Sequence, residues 1–192
     1  MNKSISVDNG FTIIELMVIL AIVAILSVIS MPNLTTFLHK AELKSYSSKI
    51  FIAINAARGE AMKRGLNAMV APTDEVYWSN GCRVFVDTNR NQAYDTNELI
   101  FEIEKPPSYL TITGTNVASG NTPYIMLDAS GFSKKKDSSF SDLTLSVVMN
   151  DITTSTSEAL AEQTRILIVS VTGRVRICKP SNDPSCVNTA SQ

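Results

Sequence analysis

One apolar run, from Leu16 to Met31, constrains this chain most, because it contains no charged residue. Together with residues 11–14 the run reaches about 20 residues, which is roughly 30 Å of helix at about 1.5 Å per residue. That length matches the hydrocarbon core of a bilayer, so the run predicts a transmembrane helix. Glu15 interrupts the apolar segment near its start, and a carboxylate in lipid needs a partner. The sequence therefore predicts a membrane anchor that carries one carboxylate with a specific role.

The rest of the chain has the composition of one soluble domain. The chain has 192 residues, and Lys and Arg total 17 against 18 for Asp and Glu, so overall charge does not favour a nucleic-acid or anionic-lipid partner. It has a single histidine, His39, and the sequence shows no Ser/His/Asp set, metal-ligand cluster or glycine-rich phosphate loop. We therefore expect neither enzymatic activity nor an obligatory cofactor.

A second helical segment is predicted directly after the apolar run. From Asn33 onward apolar residues recur at helical spacing and polar residues fill the other positions. The pattern predicts one helix over residues 11–64, with its first half in lipid and its second half amphipathic. Pro32 should bend this helix, and Gly65 suits the left-handed position that ends many helices. The predicted apolar stripe consists of Leu34, Phe37, Leu38, Ala41, Ile50, Ile54, Ala57 and Ala61.

Beyond Gly65, short runs of β-forming residues alternate with turn residues. The runs are too closely spaced for crossover helices, which predicts antiparallel sheets joined by hairpins. Residues 114–121, 133–141 and 157–163 are predicted to be loops. The predicted strands are residues 69–70, 76–78, 83–86, 99–103, 110–113, 124–127, 143–149, 166–171 and 174–177.

The residues at the start of the apolar run carry a family resemblance. In sequence they read Gly10-Phe11-Thr12-Ile13-Ile14-Glu15-Leu16, which resembles the class III signal of type IV pilins and pseudopilins. In that family a prepilin peptidase cuts after the glycine, here Gly10, and methylates the new N-terminal residue, here Phe11. The resemblance places Glu15 at the family's glutamate, which pairs with the amine of an adjacent subunit.

A second resemblance lies at the end of the helix and just beyond it. Residues 57–64 and 81–89 resemble the GspH/FimT family of H-type minor pseudopilins and fimbrial T and U minor pilins, although Cys82 departs from the aromatic residue expected there. The resemblance implies an α+β, pilin-like lollipop, in which a long N-terminal helix packs on an antiparallel β-sheet head. It implies a leader over residues 1–10, a transmembrane helix over 11–31, an amphipathic continuation over 32–65 and a β-rich periplasmic head over 66–192.

The same resemblance implies a cellular setting and a set of partners. Such a chain is anchored by a single pass in the bacterial inner membrane and later enters a type IV pilus or a type II secretion pseudopilus. Its partners are prepilin peptidase, an inner-membrane assembly platform, and other minor and major pilins or pseudopilins.

Oxygen-bearing side chains recur between Asp87 and Glu98 at the spacing of a calcium-binding loop. However, Gln92 occupies the position at which such a loop needs glycine, and the flanking segments are predicted strands rather than helices. The alternative is a hairpin turn that is capped by its own Asn and Asp side chains. Both interpretations stay open from the sequence. The candidate calcium ligands are Asp87, Asn89, Asn91, Asp95 and Glu98.

Near the C terminus, Gly173-Arg174-Val175-Arg176 places two guanidinium groups on one face of a predicted strand. With Lys179, and with Arg165 on the neighbouring strand, they predict a basic patch suited to the phosphates of double-stranded DNA. The motif resembles the Gly-Arg-x-Arg of fimbrial T-type pilins that bind DNA in natural transformation. A solvated edge strand that resists aggregation also explains the pair.

The chain contains three cysteines. Cys178 and Cys186 bracket a polar, proline-containing loop, which predicts a disulfide in an oxidising compartment. Cys82 is predicted to be a buried free thiol, because unpaired cysteine usually behaves as a small apolar residue.

Overall fold

A computed structural model of the chain describes residues 11–150 and 156–187, without the side chains of residues 28–33. Helix α1 spans Ile13–Arg64, and a short helix, α2, spans Ser157–Glu162. Two single-turn 3-10 helices span Trp78–Asn80 and Asn116–Ala118. The described strands are β1 (Asn67–Pro72), β2 (Cys82–Asp87), β3 (Leu99–Ile103), β4 (Leu110–Gly114), β5 (Ile125–Leu127), β6 (Ser133–Lys134), β7 (Leu143–Met149), β8 (Thr164–Val169) and β9 (Val175–Cys178).

These strands form two antiparallel sheets. The five-stranded sheet has the order β3-β2-β1-β5-β6, and the four-stranded sheet has the order β4-β7-β8-β9. Hairpins join β1 to β2, β2 to β3 and β8 to β9, and β7 pairs with β8, which follows α2. By contrast, β1 pairs with β5 and β4 pairs with β7 across long stretches of sequence. The sheets confirm the predicted α+β fold with a long N-terminal helix packed on antiparallel strands.

The core forms where the later part of α1 packs against strands of both sheets. Its helical members recur every three or four residues, as one face of a helix requires. Of the predicted stripe, Ile50, Ile54, Ala57 and Ala61 are buried, whereas Leu34, Phe37, Leu38 and Ala41 are exposed. Helical spacing predicts which face is apolar, but not the point along the helix at which packing partners begin. The buried positions of α1 in this core are Leu43, Tyr46, Ile50, Ala53, Ile54, Ala57 and Ala61.

The chain divides into one compact unit up to His39 and another from Lys40 onward. In the first unit, α1 exposes most of its apolar side chains between Ile13 and Leu26. Within the described part of the chain, no helix combines the length and apolar character needed to cross a membrane. The predicted leader over residues 1–10, the predicted bend at Pro32 and the last side chains of the predicted span over 11–31 lie outside the described residues.

The C-terminal end of α1 confirms the prediction made from Gly65. This glycine has a φ of +66°, and its amide donates to the carbonyl of Ala61 at 2.9 Å. The amide of Leu66 donates to the same carbonyl at 3.3 Å. These bonds satisfy a carbonyl that the end of a helix would otherwise leave unpaired.

Three secondary-structure predictions were wrong, and side-chain caps explain two of them. Within the predicted loop over residues 133–141, Ser133 and Lys134 form β6, which pairs with β5. Residues 76–78 bend into the first 3-10 helix rather than forming a strand, because Asp74 Oδ1 accepts the amides of Val76 at 3.0 Å and Tyr77 at 2.8 Å. Residues 157–162 form α2 rather than a loop, with Thr156 Oγ1 accepting the amide of Ala159 at 3.3 Å. Asp and Thr at these positions favour a local cap over a strand or an open loop.

Candidate assembly and binding sites

The start of α1 is held by a reciprocal pair of side chains, Thr12 and Glu15. The amide and the hydroxyl of Thr12 each donate to Glu15 Oε2 at 2.8 Å. In return, the amide of Glu15 donates to Thr12 Oγ1 at 3.3 Å. This is a capping box, which satisfies amides that the first turn of a helix leaves unpaired. Thr12 is a site residue that the sequence interpretation missed, although Thr-x-x-Glu is the spacing that signals such a cap.

Glu15 nevertheless stays accessible to a second partner. Both hydrogen bonds from Thr12 go to Oε2, and Oε1 accepts none from the described residues. Apolar side chains surround the carboxylate on the same face of the helix, namely Phe11, Ile14, Val18 and Ile19. Phe11 is 80% exposed, whereas its predicted cleavage partner Gly10 lies outside the described residues. The first turn of α1 therefore presents one carboxylate oxygen within an apolar surface.

The turn between β2 and β3 contains two buried carboxylates that bind the amides of their own loop. Asp87 is fully buried, with Oδ1 accepting the amide of Asn91 at 3.0 Å and Oδ2 that of Gln92 at 3.1 Å. Glu98 Oε1 accepts both the amide and the hydroxyl of Thr88 at 2.6 Å. Both acids thus act as caps of the turn.

The remaining candidate calcium ligands are also paired with one another. Asp95 Oδ2 accepts from the side-chain nitrogens of Asn89 at 2.7 Å and Asn91 at 2.9 Å. The side-chain oxygens of these two residues accept backbone amides of Asn91 and Ala93. In the described ranges, no group of three or more His, Cys, Asp or Glu side chains converges as a metal site would require. The geometry favours the self-capped hairpin.

We predict that calcium leaves the stability of the head unchanged. The full chain in detergent should melt at the same temperature with excess calcium and with EDTA, because the loop's own donors already satisfy most of the candidate ligand oxygens. The matched variant Asp87→Asn should lower the melting temperature equally in both conditions, since it weakens two buried hydrogen bonds. A calcium-dependent rise in melting temperature that Asp87→Asn abolishes would restore the calcium interpretation.

The C-terminal basic residues do not all lie on one face of the sheet. Arg176 pairs with Ile168 across the β8–β9 ladder, so the two side chains share a face. Arg165 lies two residues before Leu167, which is in the core, and therefore occupies the opposite face from Ile168. Arg165 is therefore separated from Arg176, although it lines the same surface pocket as Lys179.

Two of the three candidate DNA contacts are engaged by carboxylates. Arg176 lies 3.5 Å from Asp183 Oδ2, and Lys179 Nζ lies 2.6 Å from Glu162 Oε2. Hydrogen bonding to Lys179 lowers the pKa of Glu162, which keeps that carboxylate ionised beside the lysine. Arg174 is exposed, and among the described residues its side chain has no ion pair or hydrogen bond. The patch therefore presents less positive charge than its sequence indicates.

The glycine of the Gly-Arg-x-Arg motif is required by packing. Gly173 has a φ of +72°, and a β-carbon there would lie 1.8 Å from the carbonyl oxygen of Gly131. Arg58 of α1 binds both turns, with Nε donating to the carbonyl of Gly131 at 3.1 Å and Nη2 to that of Thr172 at 3.2 Å. The close approach of these turns at Arg58 explains why position 173 is a glycine, and DNA binding is not needed to account for it.

Comparisons with known proteins agree with this architecture. Residues 48–173 match a family model described as "Type II transport protein GspH". The chain belongs to the GspH family. Residues 5–31 match a second model, described as "Prokaryotic N-terminal methylation motif". No curated protein sequence is significantly similar to the chain.

Solved structures with the fold of this GspH-family chain include a minor pilin and a minor pseudopilin. The type IV minor pilin FimU of Pseudomonas aeruginosa has a TM-score of 0.55 at 15% identity, over 77% of this chain and 95% of that one. The minor pseudopilin EpsH of the Vibrio cholerae type 2 secretion system has a TM-score of 0.50 at 13% identity, over 72% and 98%. Family and fold together are those of minor pilins and pseudopilins, which are structural proteins.

The cysteines of this GspH-family chain serve its structure. Cys178 and Cys186 form the predicted disulfide, which closes the loop that places Asp183 and Ser185 beside Arg176. Cys82 is a free thiol within the described residues and is 1% exposed, as predicted. Burial raises the pKa of Cys82 to about 12, so the reactive thiolate is scarce at neutral pH.

Proposed function

We propose that this chain is a minor pilin or pseudopilin that is cleaved after Gly10 by prepilin peptidase and N-methylated on Phe11. Before assembly its N-terminal helix anchors it in the bacterial inner membrane, with the head in the periplasm. An assembly platform then incorporates it, with other minor and major subunits, into a type IV pilus or a type II secretion pseudopilus. Its role is structural, in building or priming the filament.

The observation that carries this proposal is the state of Glu15 at the start of α1. One carboxylate oxygen is bound by Thr12 and the other is available, within an exposed apolar surface. The amine created by cleavage before Phe11 on an adjacent subunit is a suitable partner for that oxygen. In a medium of low dielectric constant such a pair favours one register, since a misaligned subunit leaves a charge unpaired.

Processing by the peptidase provides the test of this function. When the full chain is co-expressed with prepilin peptidase, its intact mass should show loss of residues 1–10 and gain of one methyl group. Gly10→Val should abolish that change, because a branched side chain replaces the glycine at the cut. The control Asp8→Asn alters charge in the same leader and should be cut normally. A wild-type chain that keeps its leader under these conditions would contradict the proposal.

We infer a structural role for Arg174 and Arg176 in place of DNA binding. The inference is supported by the carboxylate beside Arg176, the carboxylate beside Lys179 and the packing requirement at Gly173. Arg176 fastens the disulfide loop to β9, and an exposed Arg174 discourages pairing of this edge strand with another sheet. A DNA-binding minor pilin for natural transformation is the alternative.

Double-stranded DNA binding across a salt series separates the two roles. We expect the full chain and its Arg174→Ala/Arg176→Ala variant to bind DNA equally weakly, with similar salt dependence. The control variant Lys49→Ala/Lys135→Ala removes the same charge elsewhere and should behave identically. A strong salt dependence whose log–log slope falls by about 2 in the arginine variant alone would instead indicate two phosphate contacts and a DNA receptor.

A further inference from the structure

The outer face of the five-stranded sheet carries a second apolar cluster. Met69, Phe85 and Met126 form it, and each is no more than 2% exposed. They belong to a cluster separate from the main core, because alternate strand residues point to opposite faces. Tyr94 from the β2–β3 turn and Tyr124 before β5 pack on the cluster. Two loops, rather than another layer of secondary structure, therefore cover this face.

A cleft of about 100 Å³ opens between these two loops. Its walls are linked, because the hydroxyl of Tyr124 accepts the amide of Lys136 and the carbonyl of Lys136 accepts Gln92 Nε2, both at 3.0 Å. The ring of Tyr94 packs edge-on to that of Phe85, with 5.4 Å between centroids. The floor is apolar and includes Met69, Ala71 and Phe85. These contacts connect the walls of the cleft to each other and to its floor.

Two cations lie over the aromatic walls of the cleft. Arg83 Cζ is 4.2 Å from the centre of the Tyr94 ring, and Lys136 Nζ is 5.1 Å from the centre of the Tyr124 ring. Arg83 Nε is buried and has no hydrogen-bond acceptor among the described residues. Glu75 also lines the cleft, but in the described structure no ion pair joins it to either cation. The site thus has an unsatisfied buried donor beside two cations.

We propose that this cleft binds the carboxylate of an acidic side chain presented by a neighbouring filament subunit, an inference that rests on the proposed function. A guanidinium suits a carboxylate, and the apolar floor suits the methylene stem that carries it. An engineered apolar cavity of about 150 Å³ holds one benzene molecule, so a cleft of about 100 Å³ has room for a single side chain.

Methyl NMR of the full chain in detergent micelles tests this assignment, with Met69 as the reporter inside the cleft. The probes are acetyl-glutamate methylamide and its neutral isostere, acetyl-glutamine methylamide. The glutamate probe should shift the Met69 methyl signal saturably, and the glutamine probe should bind at least about tenfold more weakly, because it lacks the charge. Arg83→Gln should abolish this difference between the probes, and Lys136→Gln should reduce it.

The control Lys135→Gln removes a charge from the same loop but outside the cleft lining, and should keep full selectivity. Equal binding of both probes, no binding of either, or unchanged selectivity in Arg83→Gln would overturn the proposal. Tighter binding of free propionate than of the blocked glutamate would overturn the assignment to a partner's side chain. This titration is independent of leader cleavage, so its failure leaves the proposed function to be tested separately.

Discussion

Glu15→Gln should remove most of the chain from assembled filaments while leaving peptidase cleavage intact. Glutamine can still serve in the capping box with Thr12, so the start of α1 should be kept and only the charge is lost. An unpaired amine in an apolar filament core costs several kcal/mol, and incorporation should therefore fall at least about tenfold. The measurement is the ratio of processed chain in sheared filaments to processed chain in the membrane. Glu15→Ala should give the same loss.

The matched control is Thr12→Val, which removes the capping hydroxyl and keeps the carboxylate. Loss of such a cap costs about 1 kcal/mol of helix stability, so incorporation should fall only modestly. If Glu15→Gln enters filaments as well as the wild type does, the pairing of this carboxylate with a neighbour's amine is wrong. If Thr12→Val is as defective as Glu15→Gln, the carboxylate acts mainly as a helix cap.

Gly173→Ala should destabilise the head strongly, by about 3 kcal/mol or more. The added β-carbon would meet the carbonyl oxygen of Gly131 at 1.8 Å, and the positive φ adds its own cost. Chemical unfolding of the full chain in detergent measures the effect. Gly59→Ala is the matched control, because nothing lies within 4 Å of its added β-carbon. Alanine is more favourable than glycine inside a helix by about 0.5–1 kcal/mol, so this variant should be at least as stable as the wild type. Equal stability of the two variants would contradict the close approach of the turns at Arg58.

The features predicted correctly from the sequence depend mainly on neighbours along the chain. The end of α1 at Gly65 follows from one glycine after a helical pattern, and the β7 strand follows from its own run of β-forming residues. The pairing of β4 with β7 depends instead on contacts between distant segments, for which periodicity gives no signal. Residues 76–78 were wrongly predicted to be a strand. There a cap from Asp74, which is also local, overrides the strand propensity of the segment.

The candidate sites also differ in whether they depend on neighbours along the chain or on distant segments. Thr12 and Glu15 form a local cap, so their spacing in the sequence is sufficient to predict it. The partner of Lys179 is Glu162 of α2, and a separation of 17 residues hides that pair in the sequence. The cleft beside Arg83 was not predicted at all, because its walls come from loops that are distant in the sequence.

The mass of the chain recovered from sheared filaments tests the central claim most directly. A processed pilin subunit should be present there as a chain that begins with N-methylated Phe11 and lacks residues 1–10. Recovery of the chain only in membranes, or in filaments with its leader intact, would contradict its assignment as a processed and assembled subunit.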